Sequence, residues 1–161
     1  MAGETRRRVR AALDRLSERE RHLLLLQAEG YRYRDIAAAL QWYRKAVAQG
    51  SATAEERLAT MYYSGDGVVQ NYAEAAKWYR AAAEKGNARA QERLASLLRT
   101  GKPGLPENLS EAARWYLKAA EQGDATAQEG IGSMYRAGQG VPANNATAKQ
   151  WFAKAAEQGN K

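Results

Sequence analysis

The side chains most often used for acid–base or metal chemistry are scarce in this chain. Of its 161 residues, one is histidine, His22, and none is cysteine. Disulfides, cysteine nucleophiles and metal sites built on several His or Cys ligands are therefore excluded. No nucleophile stands at a recognisable spacing from a base, and the carboxylates lie beside Lys or Arg, as is typical of solvated ion pairs. We predict no catalytic residue, no cofactor and no metal, and hence no enzyme.

Paired glycines could bind phosphate, and they occur three times. The loops are GDGV from Gly65, GKPGL from Gly101 and GQGV from Gly138. They lack the Lys-Ser/Thr pair of a P-loop, and each follows a helical pattern instead of a strand. We expect a structural role, in which glycine permits positive φ and the apolar residue folds the loop onto the core.

A tryptophan helix recurs four times and sets the organisation of the chain. Trp42, Trp78, Trp115 and Trp151 are 36, 37 and 36 residues apart. Each is followed after four residues by Ala and after eight by Gly. A fixed set of offsets kept over four copies indicates stacked two-helix units. We expect the four Trp to lie in the core.

Polar residues mark the expected start of each helix. Ser51, Asn87 and Asp124 directly follow a helix-ending Gly, whereas Asn71, Asn108 and Asn144 precede a Trp by seven residues. All six are preferred N-cap types. Glu74 and Glu111, three residues further on, predict capping boxes. Apolar residues at i, i+4, i+7 and i+8 of each first helix predict one buried face.

The opposite face of each first helix is the candidate binding surface. Its polar residues share that face by their 3-4-3 spacing and are not expected in the core. An ordinary solvated face is an equally good explanation of the same pattern. The candidate peptide-binding residues are Thr53, Glu56, Thr60, Tyr63, Arg89, Glu92, Ser96, Arg99, Thr126, Glu129, Ser133 and Arg136.

The segments AKWYRAAAEKGN and ARWYLKAAEQGD resemble the Sel-one-like repeat, a relative of the tetratricopeptide repeat. The resemblance covers residues 35–161, with a half repeat at 35–50 and full repeats at 51–86, 87–123 and 124–159. It implies an all-α fold, a right-handed α-solenoid of antiparallel helix pairs. It also implies a scaffold that binds a protein or a peptide on its concave face.

A different resemblance covers the amino-terminal part. ALDRLSERERHLLLLQAEGYRYRDIAAAL is similar to region four of bacterial sigma factors, over about residues 9–40. In that family a turn and a recognition helix follow, and the helix enters the DNA major groove. Here Gln41 leads directly into Trp42-Tyr43, so we expect specific DNA binding to be lost. For six arginines, nonspecific phosphate contact is an alternative to their being solvated; these are Arg6, Arg7, Arg8, Arg10, Arg32 and Arg34.

One continuous helix at about 35–49 is predicted to join the two parts. Residues 1–34 would then pack as an amino-terminal helical cap on the Trp42 helix, because a terminal repeat cannot cover its own apolar face. The last unit has no capping helix after the Trp151 helix, so one side of that helix is expected to stay partly exposed. We therefore expect a monomer or a weak homodimer.

Two functions remain open. The first is a protein- or peptide-binding scaffold, which includes the possibility of an engineered chimera of two helical fragments without native activity. The alternative is a DNA-binding transcription regulator that uses the sigma-like segment. No apolar run is long enough for a membrane span, so a cytoplasmic location without membrane attachment is expected.

Overall fold

The computed structural model describes residues 40–159, and every regular element of this range is a helix. Helix α1 covers residues 40–48. The others are α2 (Ala52–Ser64), α3 (Tyr72–Glu84), α4 (Ala88–Thr100), α5 (Leu109–Glu121), α6 (Ala125–Ala137) and α7 (Asn145–Gly159). They form three pairs: α2 and α3 are the first unit, α4 and α5 the second, and α6 and α7 the third. Each pair packs together and then against the next pair, and α4 also contacts α6. The predicted all-α solenoid is confirmed.

Part of the prediction lies outside the described residues. The cap at residues 1–34 and the first five residues of the helix expected at 35–49 belong to that part. Residues 40–48 are one unbroken helix. The continuity of the joining helix before residue 40, and the cap itself, therefore stay predictions.

All six predicted N-caps are present. The side chains of Ser51, Asn87 and Asp124 accept a hydrogen bond from the backbone N–H three residues on, at 3.3, 2.9 and 2.8 Å. Asn71, Asn108 and Asn144 do the same, at 3.0, 3.1 and 3.0 Å. These bonds satisfy amides that the helix itself leaves without partners, so each helix begins where the sequence places it.

The turn between units is a tight glycine turn. Gly86 has a φ of 90°, and the N–H of Asn87 donates to the carbonyl of Ala82 at 3.1 Å. The same bond joins Asp124 to Ala119, after Gly123 with a φ of 92°. Glycine reaches this left-handed conformation without strain. Only three residues consequently separate one helix from the next, which makes the neighbours antiparallel.

The predicted capping boxes are wrong in their second half. The backbone N–H of Asn108 donates to the carbonyl of Leu98 in α4 at 2.7 Å, so it needs no glutamate. The Glu111 side chain instead accepts from Trp115 Nε1 at 3.2 Å and pairs with Arg80 at 2.9 Å. The amide of Asn71 likewise donates to the carbonyl of Tyr62. The glycine loop thus returns the chain to the end of the previous helix.

The core is built of small residues around a few large ones. Tyr79, Leu58, Leu94, Ile131 and Met134 are the largest fully buried side chains. Alanines of both helices of each unit, most of them at or near zero exposure, surround them. Small side chains let neighbouring helices approach closely, and the tight packing then compensates for their small apolar area.

The tryptophans are not all core residues, which corrects the prediction. Trp115 is buried at 9% exposure, Trp78 and Trp151 are half-buried, and Trp42 is 74% exposed. Trp115 lies in the middle unit, with described units on both sides. Trp42 lies on the first described helix, where no earlier repeat unit of the described range covers it.

Candidate functional site

The twelve candidate residues lie on α2, α4 and α6, one set on each first helix. Most of them are exposed or half-buried, as predicted. Glu56 and Glu92 differ, because they are only 5% and 8% exposed. The expectation that no candidate residue belongs to the interior is therefore wrong at these two positions. A buried carboxylate needs partners, and its surroundings explain what it does.

Glu56 ties the first two units together. Its carboxylate lies 3.7 Å from Arg57 Nε on its own helix and 3.7 Å from Arg89 Nε on α4. The Thr60 hydroxyl donates to the Glu56 carbonyl at 3.0 Å and approaches its carboxylate at 3.3 Å. Because Arg89 comes from the next unit, the candidate residues of α2 and α4 form one connected surface.

A hydroxyl recurs at one position of every first helix. Thr60, Ser96 and Ser133 are half-buried and occupy the same place in their units. The Thr60 hydroxyl lies 3.0 Å from the hydroxyl of Tyr79 on the second helix. Burial raises the pKa of Tyr79, and the bond to Thr60 opposes this. The phenol therefore stays neutral at physiological pH and holds the two helices in register.

The second and third units vary this arrangement. Burial raises the pKa of Tyr116, and hydrogen bonds from Ser96 and Arg99 lower it. In the third unit Phe152 replaces the tyrosine, so Ser133 has no phenol at the matching position. Arg136 lies over the Phe152 ring instead, 5.4 Å from its centroid. The hydroxyls and cations of the surface thus recur, whereas the aromatic side chains of the second helices that lie beside them differ.

Glu92 is a buried carboxylate with one arginine beside it, whereas Glu56 has two. Arg93 Nε is 3.4 Å from Glu92 Oε2, and half of the Arg93 side chain is exposed. Burial raises the pKa of Glu92, Arg93 lowers it, and Asp124 raises it further. The desolvation is the largest of these effects, as expected for a buried carboxylate whose single cation is half exposed.

A small pocket of about 100 Å³ lies beside this surface, at the joint of the first and second units. Two of its lining residues, Tyr63 and Ser96, were candidates from the sequence. The complete lining consists of Tyr63, Tyr79, Arg93, Ser96, Leu97, Thr100 and Lys102. Sequence reasoning missed Arg93, although it stands four residues after Arg89 on the same helix face. Lys102 lies in the loop after α4, for which helical spacing gives no prediction.

The exposed charge of the first helices is mostly positive. Five arginines of α2, α4 and α6 are exposed or half-buried, whereas three of their four carboxylates are buried. The arginines are Arg57, Arg89, Arg93, Arg99 and Arg136, and the exposed carboxylate is Glu129. In the described range no group of three or more His, Asp or Glu side chains could hold a metal ion. The arrangement suits recognition of an anionic partner by charge and hydrogen bonding.

A stack of antiparallel helix pairs with one polar face defines a helical-repeat scaffold. The Sel1 repeat model matches residues 52–87, 88–124 and 125–160, which is more than half of the sequence. The chain belongs to the Sel1 repeat family, whose members are typically scaffolds for protein interactions. The predicted resemblance to this repeat family is thus confirmed.

The model of sigma-70 region 4 matches residues 6–49. This confirms the second resemblance and extends it nine residues beyond the segment 9–40, through α1. Residues 40–49 therefore carry both patterns, the end of the sigma-like region and the first Trp helix. In the described residues, no helix is long and apolar enough to cross a membrane.

Solved structures agree with the assignment. A protective antigen of uropathogenic Escherichia coli with an SLR fold is 40% identical, with a TM-score of 0.76 over 81% of this chain. A Sel1 repeat protein from Oxalobacter formigenes is 42% identical, with a TM-score of 0.70 over 74% of this chain. The chain spans 29% and 49% of those two proteins.

Cysteine rich protein B of Helicobacter pylori shares the fold, with a TM-score of 0.62 at 24% identity. The match covers 79% of this chain and 90% of that protein. No curated protein matches the sequence significantly.

Proposed function

We propose that this chain is a non-catalytic scaffold that binds an acidic peptide segment on the face formed by α2, α4 and α6. The observation that carries the proposal is the combination of a repeated half-buried hydroxyl with an exposed charge that is almost entirely arginine. The hydroxyls of Thr60, Ser96 and Ser133 recur once per unit. An extended peptide presents backbone amides and carbonyls at regular intervals and suits such a row.

The burial of Glu56 and Glu92 supports the same function. A carboxylate buried beneath arginines holds their side chains in place without cancelling the outward positive charge of the face. Arg89, which contacts Glu56 from the next unit, is still largely exposed. Pre-positioned arginines lose less conformational entropy when they bind a partner, so the face is prepared for carboxylates.

A selection of displayed random peptides on the purified full-length chain tests the proposal. We expect enrichment of Asp- and Glu-containing peptides. Charge reversal on the face, in the variants Arg89→Glu and Arg136→Glu, should weaken binding of an enriched peptide about tenfold, a loss of about 1.4 kcal/mol. Arg114→Glu makes the same change at an exposed position of α5 and should leave the affinity within about twofold.

The opposite outcomes are equally clear. Equal losses in all three variants would mean that the peptides respond to net charge alone, and no enrichment would contradict the proposal. Tight, sequence-dependent binding of duplex DNA would favour the alternative, a regulator that uses residues 6–49. Binding of any polynucleotide that vanishes at high salt fits nonspecific phosphate contact.

The hypothesis that the chain joins two helical fragments stays open beside this function. It is supported by the way the two family matches adjoin, one ending at residue 49 and the other beginning at residue 52. A peptide-binding face on α2, α4 and α6 does not depend on it.

A further inference from the structure

We propose that the pocket at the joint of the first and second units is a subsite for a carboxylate carried by the bound peptide. The inference rests on the proposed function, and it specifies where one acidic group of the partner enters. No acidic side chain lines the pocket within the described residues, whereas Arg93 and Lys102 both do. An anion is thus the ligand that the lining favours.

The hydroxyls of the lining supply the remaining hydrogen bonds. Tyr63 and Ser96 each contribute one. The other two hydroxyls of the lining are already engaged, since Tyr79 pairs with Thr60 at 3.0 Å and Thr100 donates to the carbonyl of Ser96 at 3.0 Å. A carboxylate has two oxygens with several lone pairs and can accept from hydroxyls and cations together.

Arg93 and Lys102 leave room for such a ligand. Arg93 approaches Glu92 through Nε, and a guanidinium has further N–H donors on its two terminal nitrogens. Lys102 Nζ lies 5.9 Å from the centroid of the Tyr72 ring, a contact that a carboxylate can share. The pocket volume of about 100 Å³ suits a carboxylate better than a large aromatic group.

The next joint along the chain provides an internal control, because it lacks this pocket chemistry. Gly130 stands where the first joint has Arg93, and Gln139 stands where it has Lys102. A Cβ on Gly130 would meet the Tyr116 ring at 2.7 Å, so the ring fills the space beside that position. The two joints share a backbone plan, but the second has one cation, Arg99 in the place of Tyr63, and lacks the pair formed by Arg93 and Lys102. We therefore expect one carboxylate subsite per chain within the described units.

The test uses three capped peptides on the ¹⁵N-labelled full-length chain, followed by NMR titration. Acetyl-Gly-Glu-Gly-amide carries a side-chain carboxylate, acetyl-Gly-Gly-Gly a terminal carboxylate, and acetyl-Gly-Gln-Gly-amide neither. We expect saturable shifts of the Ser96 and Thr100 amides with at least one of the acidic peptides, at a Kd on the order of 1 mM. The acidic peptide that saturates identifies the source of the carboxylate. The neutral peptide should bind at least tenfold more weakly.

Variants assign the effect to the pocket. Arg93→Gln should weaken the acidic peptide about tenfold and Lys102→Gln about threefold, whereas Arg93→Lys should retain part of the binding. Arg114→Gln removes an exposed cation of α5, outside the binding face, and should leave the Kd unchanged. Arg93 is the cation beside the buried Glu92, so Arg93→Gln should lower the melting temperature, and the titrations are run well below the melting temperature of every variant.

Several results would overturn the subsite. The subsite fails if neither acidic peptide saturates, or if inorganic phosphate binds and the acidic peptides do not. It also fails if the neutral peptide binds equally well, or if Arg93→Gln and Lys102→Gln leave the Kd unchanged. If displayed peptides bind the α2, α4 and α6 face but tolerate Arg93→Gln and Lys102→Gln, the scaffold function holds and the subsite fails. If the small acids bind through Arg93 but no displayed peptide is enriched, the subsite holds and the peptide scaffold fails.

Discussion

In each unit one pair of side chains joins the first helix to the end of the second, and this pair differs between the first unit and the two later ones. In the later units two glutamines meet: Gln122 Nε2 donates to Gln91 Oε1 at 2.7 Å, and Gln158 Nε2 donates to Gln128 Oε1 at 2.9 Å. In the first unit Glu55 and Lys85 take these places, with Lys85 Nζ 2.6 Å from Glu55 Oε1. The same two backbone segments are therefore joined by neutral amides in the second and third units and by an ion pair in the first.

The two solutions differ in what the buried side chain can donate. Gln91 Nε2 donates to the carbonyl of Ala83 at 3.0 Å, and Gln128 Nε2 to the carbonyl of Ala120 at 3.1 Å. An ionised Glu55 has no proton to donate. Its Oε2 atom is buried without a hydrogen-bond partner in the described part of the chain. The glutamine amide of α4 or α6 forms hydrogen bonds with two neighbours, a backbone carbonyl and a second glutamine. The Glu55 carboxylate has Lys85 as its partner.

Removing the lysine should have the largest effect on this comparison. Lys85→Met leaves the buried Glu55 carboxylate without its cation. Loss of one partner of a fully buried pair costs about 3–5 kcal/mol. Since the Lys85 side chain is 40% exposed, we expect about 2 kcal/mol. Gln122→Met is the matched change in the second unit and should cost about 1 kcal/mol. Urea unfolding measures both, and equal losses would mean that the ion pair and the glutamine pair are equivalent.

Giving the first unit the glutamine pair of the later units should have a smaller effect on stability, of opposite sign. In the double variant Glu55→Gln/Lys85→Gln the new amide can donate to the α1 carbonyl that corresponds to Ala83. We expect stability equal to the wild type or higher by about 0.5–1 kcal/mol, since a net hydrogen bond contributes about that much. The salt dependence of unfolding should also decrease, because salt screens the ion pair and not the amides. A clear loss of stability would show that the ion pair is specifically required.

Glu92 should give the smallest effect, because it lacks a cation as close as Lys85 is to Glu55. Burial raises its folded-state pKa above the ordinary value of 4.5. The folded protein then binds a proton more readily than the unfolded chain, so stability falls as pH rises from 4.5 through the folded pKa. Glu92→Gln removes this loss. We expect a slightly higher melting temperature than the wild type at neutral pH and little difference below pH 4.5. The reverse order would mean that Arg93 outweighs desolvation.

The sequence predicted the local parts of the fold well. Ser51, Asn71, Asn87, Asn108, Asp124 and Asn144 start helices because an N-cap depends on a few adjacent residues. The spacing of the tryptophans set the number of units for a similar reason, as each unit repeats one local plan. These features need no knowledge of how units sit on one another.

What the sequence could not predict depends on contacts between units. Glu56 has the spacing of an exposed residue, and it is buried because Arg89 of the next unit closes over it. Trp42 has the same place in its helix as Trp115, yet Trp42 is exposed and Trp115 is buried. The burial of this position depends on contacts with neighbouring units. Glu55 and Lys85 stand where the later repeats have glutamines, which the sequence itself shows. That the two side chains form a pair depends on the structure, because they are 30 positions apart in the chain.

The account as a whole depends on which helices carry the binding face. Chemical-shift mapping of the ¹⁵N-labelled full-length chain with an enriched acidic peptide tests this most directly. We predict that the largest changes fall on α2, α4 and α6, around Thr60, Ser96 and Ser133. Changes confined to α3, α5 and α7, or to residues 6–39, would contradict the proposed function.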